Sequence, residues 1–370
     1  MSKAAELAAL IGSQTARGDK NLLINSDMQV AQHGTSKAMA HDGSTSVYVV
    51  DRFTMAFGGT HEQLDGTYAQ VADHPLSANG KSLKWTTGTA ESSYDADEYL
   101  YAAQIIEAQN LQRINNGNSN AVPITLSFYV KSSVTGTFAV GIYKEDSTAR
   151  IFNKTYAISS ANTWEKKTIT FAGDTSGGGI VNDNGRGFYI NWHLAAGSNA
   201  VGGGSNGAWK NYGGLSDWAD GQATNAIATT SSATWQLAQC QLEIGEVATP
   251  FEHRSFGDEL FSCQRYFSHA VTCIGPASSG SLIQAFASLP KQMRAAPSYS
   301  VSGALNFSDG YAADFVQSSG AVAIVANAAP DGSPAQFLNF TNFSGLSAGE
   351  IMFFPRNSAN NNRIIADAEL

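Results

Sequence analysis

The sequence predicts a mainly β protein: a short N-terminal helix, a β-sandwich of the jelly-roll type, and a smaller C-terminal β domain. Three observations predict it. Short segments with alternating apolar residues recur from Asn21 onward, separated by Gly, Asn and Ser turns. Charged residues make up 14% of the chain, against roughly 25% in an average globular protein. Glycine is abundant at 36 and proline scarce at 9, and 370 residues suffice for two or three domains with their own cores.

Residues 2–16 form the one clear helical stretch, capped by Ser2, with Ala4, Leu7 and Ile11 on a single apolar stripe. Fifteen residues are marginal as an isolated helix in water, so the stripe wants a partner. Leu7, Leu10 and Ile11 are its docking or trimerisation candidates, and residues 1–20 are read as that segment. Strands are then expected at Asn21–Val30, Val47–Phe57, Ser82–Thr86, Ile124–Val130, Phe138–Tyr143, Thr168–Phe171, Phe188–His193 and Trp235–Ile244. In the last, Ala238, Cys240, Leu242 and Ile244 are expected on one face. Glu98–Arg113 reads as strand because β-branched and aromatic residues fill its centre. This places the sandwich at 21–254.

Thr249-Pro250 breaks the closing strand, and acidic Asp258 and Glu259 favour a helical turn over Asp258–Tyr266. The second domain, 255–370, carries expected strands at Leu282–Ala287, Tyr299–Val301, Ala321–Ala326, Phe337–Phe340, Ile351–Phe354 and Arg363–Ala366. Between Asp314 and Asp331 there is no ionisable side chain. An edge of that kind aggregates unless covered, and another copy of the chain is the economical cover.

A net charge of −9 argues against binding nucleic acid by phosphate neutralisation. Three irregularly spaced cysteines make no disulfide framework and fit assembly in a cytoplasm. Glu6 interrupts the start and Leu7–Ile11 is too short for a signal-peptide core. No window approaches the ~20 apolar residues of a membrane span, so membrane insertion is not expected.

Asn21-Leu22-Leu23-Ile24-Asn25-Ser26-Asp27-Met28 is similar to the opening strand of carbohydrate-binding-module-like jelly rolls. Gln29 to Ser36 (Gln-Val-Ala-Gln-His-Gly-Thr-Ser), then Asp51-Arg52-Phe53, resembles bacteriophage tail-fibre and other virion appendage proteins, with His33 where Arg is usual and Phe53 where Trp is usual. Gln241-Leu242-Glu243-Ile244-Gly245, Ala248-Thr249-Pro250-Phe251-Glu252, Leu260, Cys263-Gln264-Arg265-Tyr266-Phe267 and Met293-Arg294-Ala295-Ala296-Pro297 fit the same family. The resemblance implies a structural part of a tailed-phage virion, assembled in host cytoplasm with other virion proteins. It also implies a homotrimer whose sandwich contacts host-surface glycans. A capsid decoration protein without receptor activity, or a glycan-degrading tail enzyme, are the alternatives.

Candidate chemistry is sparse, and no catalytic residue or required cofactor is assigned. Gly202-Gly203-Gly204-Ser205-Asn206-Gly207 matches both G-x-G-x-x-G and G-x-S-x-G but is followed by Ala-Trp-Lys-Asn-Tyr, which is no helix. His61-Glu62-Gln63-Leu64-Asp65 lies between glycines that forbid a zinc-binding helix. Glu91, Asp95, Asp97, Glu98 and Glu107 read as a solvated acidic loop, with Ca²⁺ as the second reading. Four Asn-x-Ser/Thr sequons carry little meaning without a secretory signal. The strongest binding candidate is the loop Trp209, Tyr212, Asp217, Trp218, which Trp192, Tyr94 and Tyr99 are expected to join. Aromatic faces suit the C–H side of a pyranose, and amides and carboxylates suit its hydroxyls.

Overall fold

The computed structural model describes residues 20–40, 46–59, 63–302, 305–310, 314–316, 325–326, 332–354 and 363–370. Leu7, Leu10, Ile11, His61, Glu62 and most of the Ala321–Ala326 run lie outside them. The chain divides into two compact units, Met1–Glu259 and Leu260–Leu370. Among the described residues no helix is long and apolar enough to cross a membrane.

The first unit is a two-sheet antiparallel sandwich. Its strands are β1 (Ser36–Met39), β2 (Ser46–Tyr48), β3 (Phe53–Gly58), β4 (Gly66–Val71), β5 (Ser82–Thr87), β6 (Tyr99–Glu107), β7 (Ile124–Ser132), β8 (Gly136–Lys144), β9 (Arg150–Ile158), β10 (Glu165–Phe171), β11 (Arg186–Ala196), β12 (Lys210–Asn211) and β13 (Thr234–Ile244). One sheet runs β1-β4-β5-β13-β7-β10 and the other β12-β9-β8-β11-β6-β3-β2. Inward residues of both sheets meet in one core, with Trp85, Trp192 and Trp235 wholly buried. Phe128 meets Trp192 edge-on at 6.0 Å and Tyr156 at 5.2 Å, a geometry favoured by ring quadrupoles. The 98–113 segment is strand as predicted through Glu107, then turns into the 3₁₀ helix Ala108–Ile114.

Two strands depart from the alternation that predicts them. Val47–Phe57 is two strands, because Arg52 adopts φ 71° between them. In β13 a bulge between Ala238 and Gln241, with Gln239 at φ 47°, inverts the phase. Trp235 and Leu237 therefore share the core with Cys240 and Leu242, while Ala238 stands opposite half-exposed Tyr129.

Residues 21–30 are not a strand. Asn25 and Met28 turn the chain at φ 56° and 58°, and side chains take over the hydrogen bonds a strand would make. Asn21 Nδ2 donates to Ser26 Oγ (2.8 Å) and Cys240 O (3.0 Å); its Oδ1 accepts from Leu23 N (3.1 Å) and Leu242 N (3.0 Å). Its main-chain N–H donates to Glu252 Oε2 (3.0 Å), and its carbonyl accepts from Arg254 Nη2 (2.8 Å). Glu243 and Gln241 hold Thr249 and Glu252 in the same patch. The motifs of the opening and closing segments thus tie the two ends of the sandwich together. Asp51 likewise accepts from Gln32 N and Nε2, both at 2.6 Å, and buried Arg52 donates to Ile105 O.

The second unit contains β14 (Phe267–His269), β15 (Thr272–Ser279), β16 (Leu282–Ser288), β17 (Ser298–Val301), β18 (Asn306–Ser308), β19 (Asp314–Val316), β20 (Val325–Ala326), β21 (Ala335–Phe340), β22 (Ile351–Phe354) and β23 (Ile364–Asp367), preceded by the helix Phe256–Cys263 that spans the division. They form the antiparallel sheets β14-β23-β17 and β19-β18-β22-β15-β16-β21-β20. Phe307 packs on Phe340, Phe343 and Phe354 at 5.1–5.5 Å. Arg294 Nε donates to Ala368 O (2.9 Å), so the Met293–Pro297 motif holds the residues that follow β23.

The acidic stretch is a solvated loop only in part: Asp95 is exposed and Asp97 half-buried, but the three glutamates are not. Glu91, Glu98 and Glu107 are buried. Glu91 Oε2 accepts from Leu64 N (2.8 Å), and Glu98 Oε2 from Asp95 N (2.8 Å). These carboxylates close turns, and among the described residues no His, Cys, Asp and Glu side chains gather as a metal ion needs.

Burial, seconded by the charges of Glu91, Asp95 and Asp97, pushes Glu98 up to about 7 despite its hydrogen bond from Asp95. Stability from this group is therefore present below the unfolded value near 4.5 and lost as pH rises through about 7. Glu98→Gln should flatten the fall in melting temperature between pH 5 and 8 and leave the variant more stable than wild type at pH 8, by a few degrees for a domain of this size. Differential scanning calorimetry across that range checks this. Asn21→Ala strands the Cys240 carbonyl and Leu242 N–H, at about 1–3 kcal/mol per group. Its urea midpoint should fall accordingly, and Asn21→Asp, which lacks the donors, should not rescue it. All six tryptophans lie before residue 260, so fluorescence follows the sandwich alone.

Candidate functional site

The outward side of the β6–β11–β8 region is built by simple alternation. In β11, Phe188, Ile190, Trp192 and Leu194 point into the core, which leaves Tyr189, Asn191 and His193 outward. In β6, inward Leu100 and Ala102 leave Tyr99 and Tyr101 outward; in β8, inward Val140 and Ile142 leave Gly141 and Tyr143. Register then sets these side by side: Tyr189 opposite Tyr143, Asn191 between Ala103 and Gly141, His193 opposite Tyr101. The row through Asn191 is thus lined by small neighbours, with tyrosines on either side of it. A Cβ at Gly141 would stand 2.0 Å from Asn153 Oδ1, so this position admits no side chain without displacing that amide.

Residues 197–233, the connection from β11 to β13, fold back over this face. Trp218 lies within 5.5 Å of Tyr101, 5.7 Å of Tyr143, 6.0 Å of His193 and 6.2 Å of both Tyr99 and Tyr212. Tyr143 meets Tyr189 at 5.4 Å and Tyr212 at 5.1 Å. Tyr99, Tyr101, Tyr143, Tyr189, Tyr212 and Trp218 are all half-exposed, so together they offer a continuous aromatic surface. At its edge Arg186 Nη1 donates to Tyr189 OH (2.8 Å), which donates to Glu145 Oε2 (2.9 Å).

The titratable strand residues that Trp218 covers, His193 and Tyr101, are uncharged near neutral pH. Burial drives His193 down to about 3, against a weak main-chain contact from Trp218, and pushes Tyr101 up to about 12. Asn191 is fully buried, and among the described residues neither of its side-chain polar atoms nor Trp218 Nε1 has a hydrogen-bond partner. Such groups cost about 1–3 kcal/mol each when left unsatisfied.

Three of the predicted contact residues therefore belong together here: Tyr99, Tyr212 and Trp218. The other four do not. Trp192 is 0% exposed at the centre of the core. Trp209 turns to the core side, packs on Phe152 at 5.5 Å and Phe188 at 6.0 Å, and donates Nε1–H to Ala172 O. It closes the end of the sandwich. Tyr94 packs against the same core, where burial raises its phenol well above the ordinary range. Asp217 is a staple: wholly buried, it accepts from Lys210 Nζ and Gly213 N, both at 2.7 Å. Asp220 does the same for Gly202 N and Asn206 N at 2.7 Å. Ser205, the serine of the glycine-rich motif, is buried and donates to Asp217 O (2.9 Å), holding the loop.

The sequence reading missed Tyr101, Tyr143, Tyr189, Asn191 and His193. Their signal was present: each occupies an outward position in a strand whose inward residues are plainly apolar. Only the pairing β6–β11–β8 reveals that these outward positions are neighbours.

No family model matches the sequence, and no curated protein matches it. Among solved structures, the chain is similar to the enzymatically active domain of tailspike protein 4 of bacteriophage CBA120, at 10% identity and a TM-score of 0.32 over 61% of this chain, spanning 21% of that one. It is similar to the family 11 carbohydrate-binding module of Clostridium thermocellum in complex with a β-1,3-1,4-mixed-linked tetrasaccharide, at 12% identity and a TM-score of 0.29, over 58% of this chain and 98% of the module. It is also similar to the N-terminal cellulose-binding domain of Cellulomonas fimi β-1,4-glucanase C, at 13% identity and a TM-score of 0.25, over 49% and 90%. At such scores the likeness carries no argument, and the functional reading stands on this chain's own side chains.

Proposed function

We propose that the sandwich unit is a non-enzymatic glycan-contact module, carried in three copies on a structural appendage of a tailed-phage particle. One observation carries the glycan reading: six half-exposed aromatic rings share the outward face of adjacent strands and the loop above them. Aromatic faces stack on the apolar face of a pyranose. The charged pair Arg186 and Glu145 stands at the rim, 3.9 Å apart, where it can meet hydroxyls. Neutral Asn191 and His193 beneath keep the face free of fixed charge. The motifs at the sandwich ends support the appendage reading. Avidity is the mechanism: weak sites held on one particle bind far more tightly together than singly.

The test is a glycan array followed by titration calorimetry on the best ligand. Tyr143→Ala combined with Tyr189→Ala should weaken binding at least tenfold, about 1.4 kcal/mol. Trp209→Ala should lower thermal stability while any protein still folded binds as wild type. Full binding by the double variant would remove the site, and shortening of the polysaccharide by wild type would replace the module with an enzyme.

A further inference from the structure

Four asparagines in this sequence are followed by glycine: Asn79, Asn116, Asn184 and Asn206. Such a pair is chemically labile, because no Cβ hinders the glycine peptide nitrogen from attacking the asparagine Cγ. A C–N bond forms, and the side-chain nitrogen leaves as ammonia with the glycine proton. Water then opens the cyclic imide to aspartate or isoaspartate. The attack requires the glycine N–H to leave its acceptor and the carboxamide to swing over the next peptide. Both motions need a local opening of the fold, and the free energy of opening differs from place to place. The four sites are therefore separable by what holds them.

Three of them are held by distant parts of the chain. Gly117 N donates to Asp174 O at 2.7 Å, and Asn116 itself is buried. Gly207 N donates to Asn153 O at 2.8 Å, while Asn206 N donates to the buried Asp220 carboxylate at 2.7 Å. Asn184 is exposed, but the carbonyls on either side of it are bound: Asp183 O accepts from Gln109 N (2.9 Å) and Gly185 O from Ala108 N (3.0 Å). Ring closure at any of these three has to loosen a loop from another element.

Asn79 is held differently. It lies in the connection from β4 to β5, where Ser77, Ala78 and Asn79 are all exposed. Gly80 N donates to Ser77 O at 3.2 Å and Asn79 N to Ser77 Oγ at 3.4 Å, so both bonds close on the same turn. The 3.2 Å bond is longer than those of Gly117, Gly185 and Gly207, at 2.7, 2.8 and 2.8 Å. Packing nevertheless demands glycine here. A Cβ at Gly80 would stand 2.5 Å from Cγ of His74, whose ring is tied to Asp27 at 3.0 Å. The fold thus keeps a reactive pair in an exposed turn, the kind of place where local opening costs least.

We infer that Asn79 is the site at which the folded chain modifies itself, losing ammonia and gaining a carboxylate in the turn beside His74 and Asp27. Isoaspartate there also inserts an extra backbone carbon between Ser77 and Gly80. The inference is independent of what the aromatic face binds.

Peptide mapping by mass spectrometry of the full chain, kept folded at pH 8, tests it. Conversion at Asn79 should outpace each of the other three sites at least tenfold. In the urea-unfolded chain the four rates should converge. Asn79→Gln, whose longer side chain closes its ring far more slowly, should remove the first acidic form seen on ion exchange. Conversion of another of the four as fast as Asn79, an intact Asn79 after the unfolded chain has converted, or an acidic form that survives Asn79→Gln overturns the inference.

Discussion

The sandwich depends on how its two ends are joined. Asn21 uses both side-chain donors, both side-chain acceptor sites and its own peptide group at once. Through it the entering chain is bonded to β13 and to the departing residues Glu252 and Arg254. Burial alone would raise the Glu252 carboxyl; the N–H donors of Asn21 and Lys20 and the Arg254 guanidinium hold it below the usual range. The charge is thereby kept where it orients two peptide groups. With the ends fixed, β13 sits in register against β5 and β7, and the Trp85–Trp235 layer closes over the core.

That constraint explains which features could be read from the amino-acid order and which could not. Strands whose inward residues are large and regular, such as β7, β8 and β11, announce themselves, because each alternate residue must leave water. The mainly β class follows from them. Residues 21–30 mislead because their apolar positions are buried by a loop held with side-chain hydrogen bonds, and periodicity is silent about such bonds. β13 misleads differently: its bulge shifts the phase midway, so a pattern that is apolar at even positions is core-facing over only part of its length.

The aromatic face shows the same division. Trp209 and Trp218 are nine positions apart in one glycine-rich loop and look equivalent in the sequence, yet one packs against the core and the other covers tyrosines on the opposite side of the sheet. Their fates are set by Asp217 and Asp220, whose buried carboxylates fold the loop by accepting main-chain N–H bonds. Acidic residues that seemed available to a ligand are consumed in giving the loop its shape. The tyrosines of this face come from three strands distant in sequence, which is why composition alone did not collect them.

The bulge at Gln239 has a consequence of its own. Up to that point β13 lies between β5 and β7; beyond it, β7 remains on one flank while residues 21–26 take over the other, through Cys240 N to Ser26 O and Leu22 N to Leu242 O, each 2.9 Å. One extra residue is therefore the joint at which a strand exchanges a partner and changes the parity of its buried side. Deleting one residue at such a joint would turn the trailing half of the strand inside out.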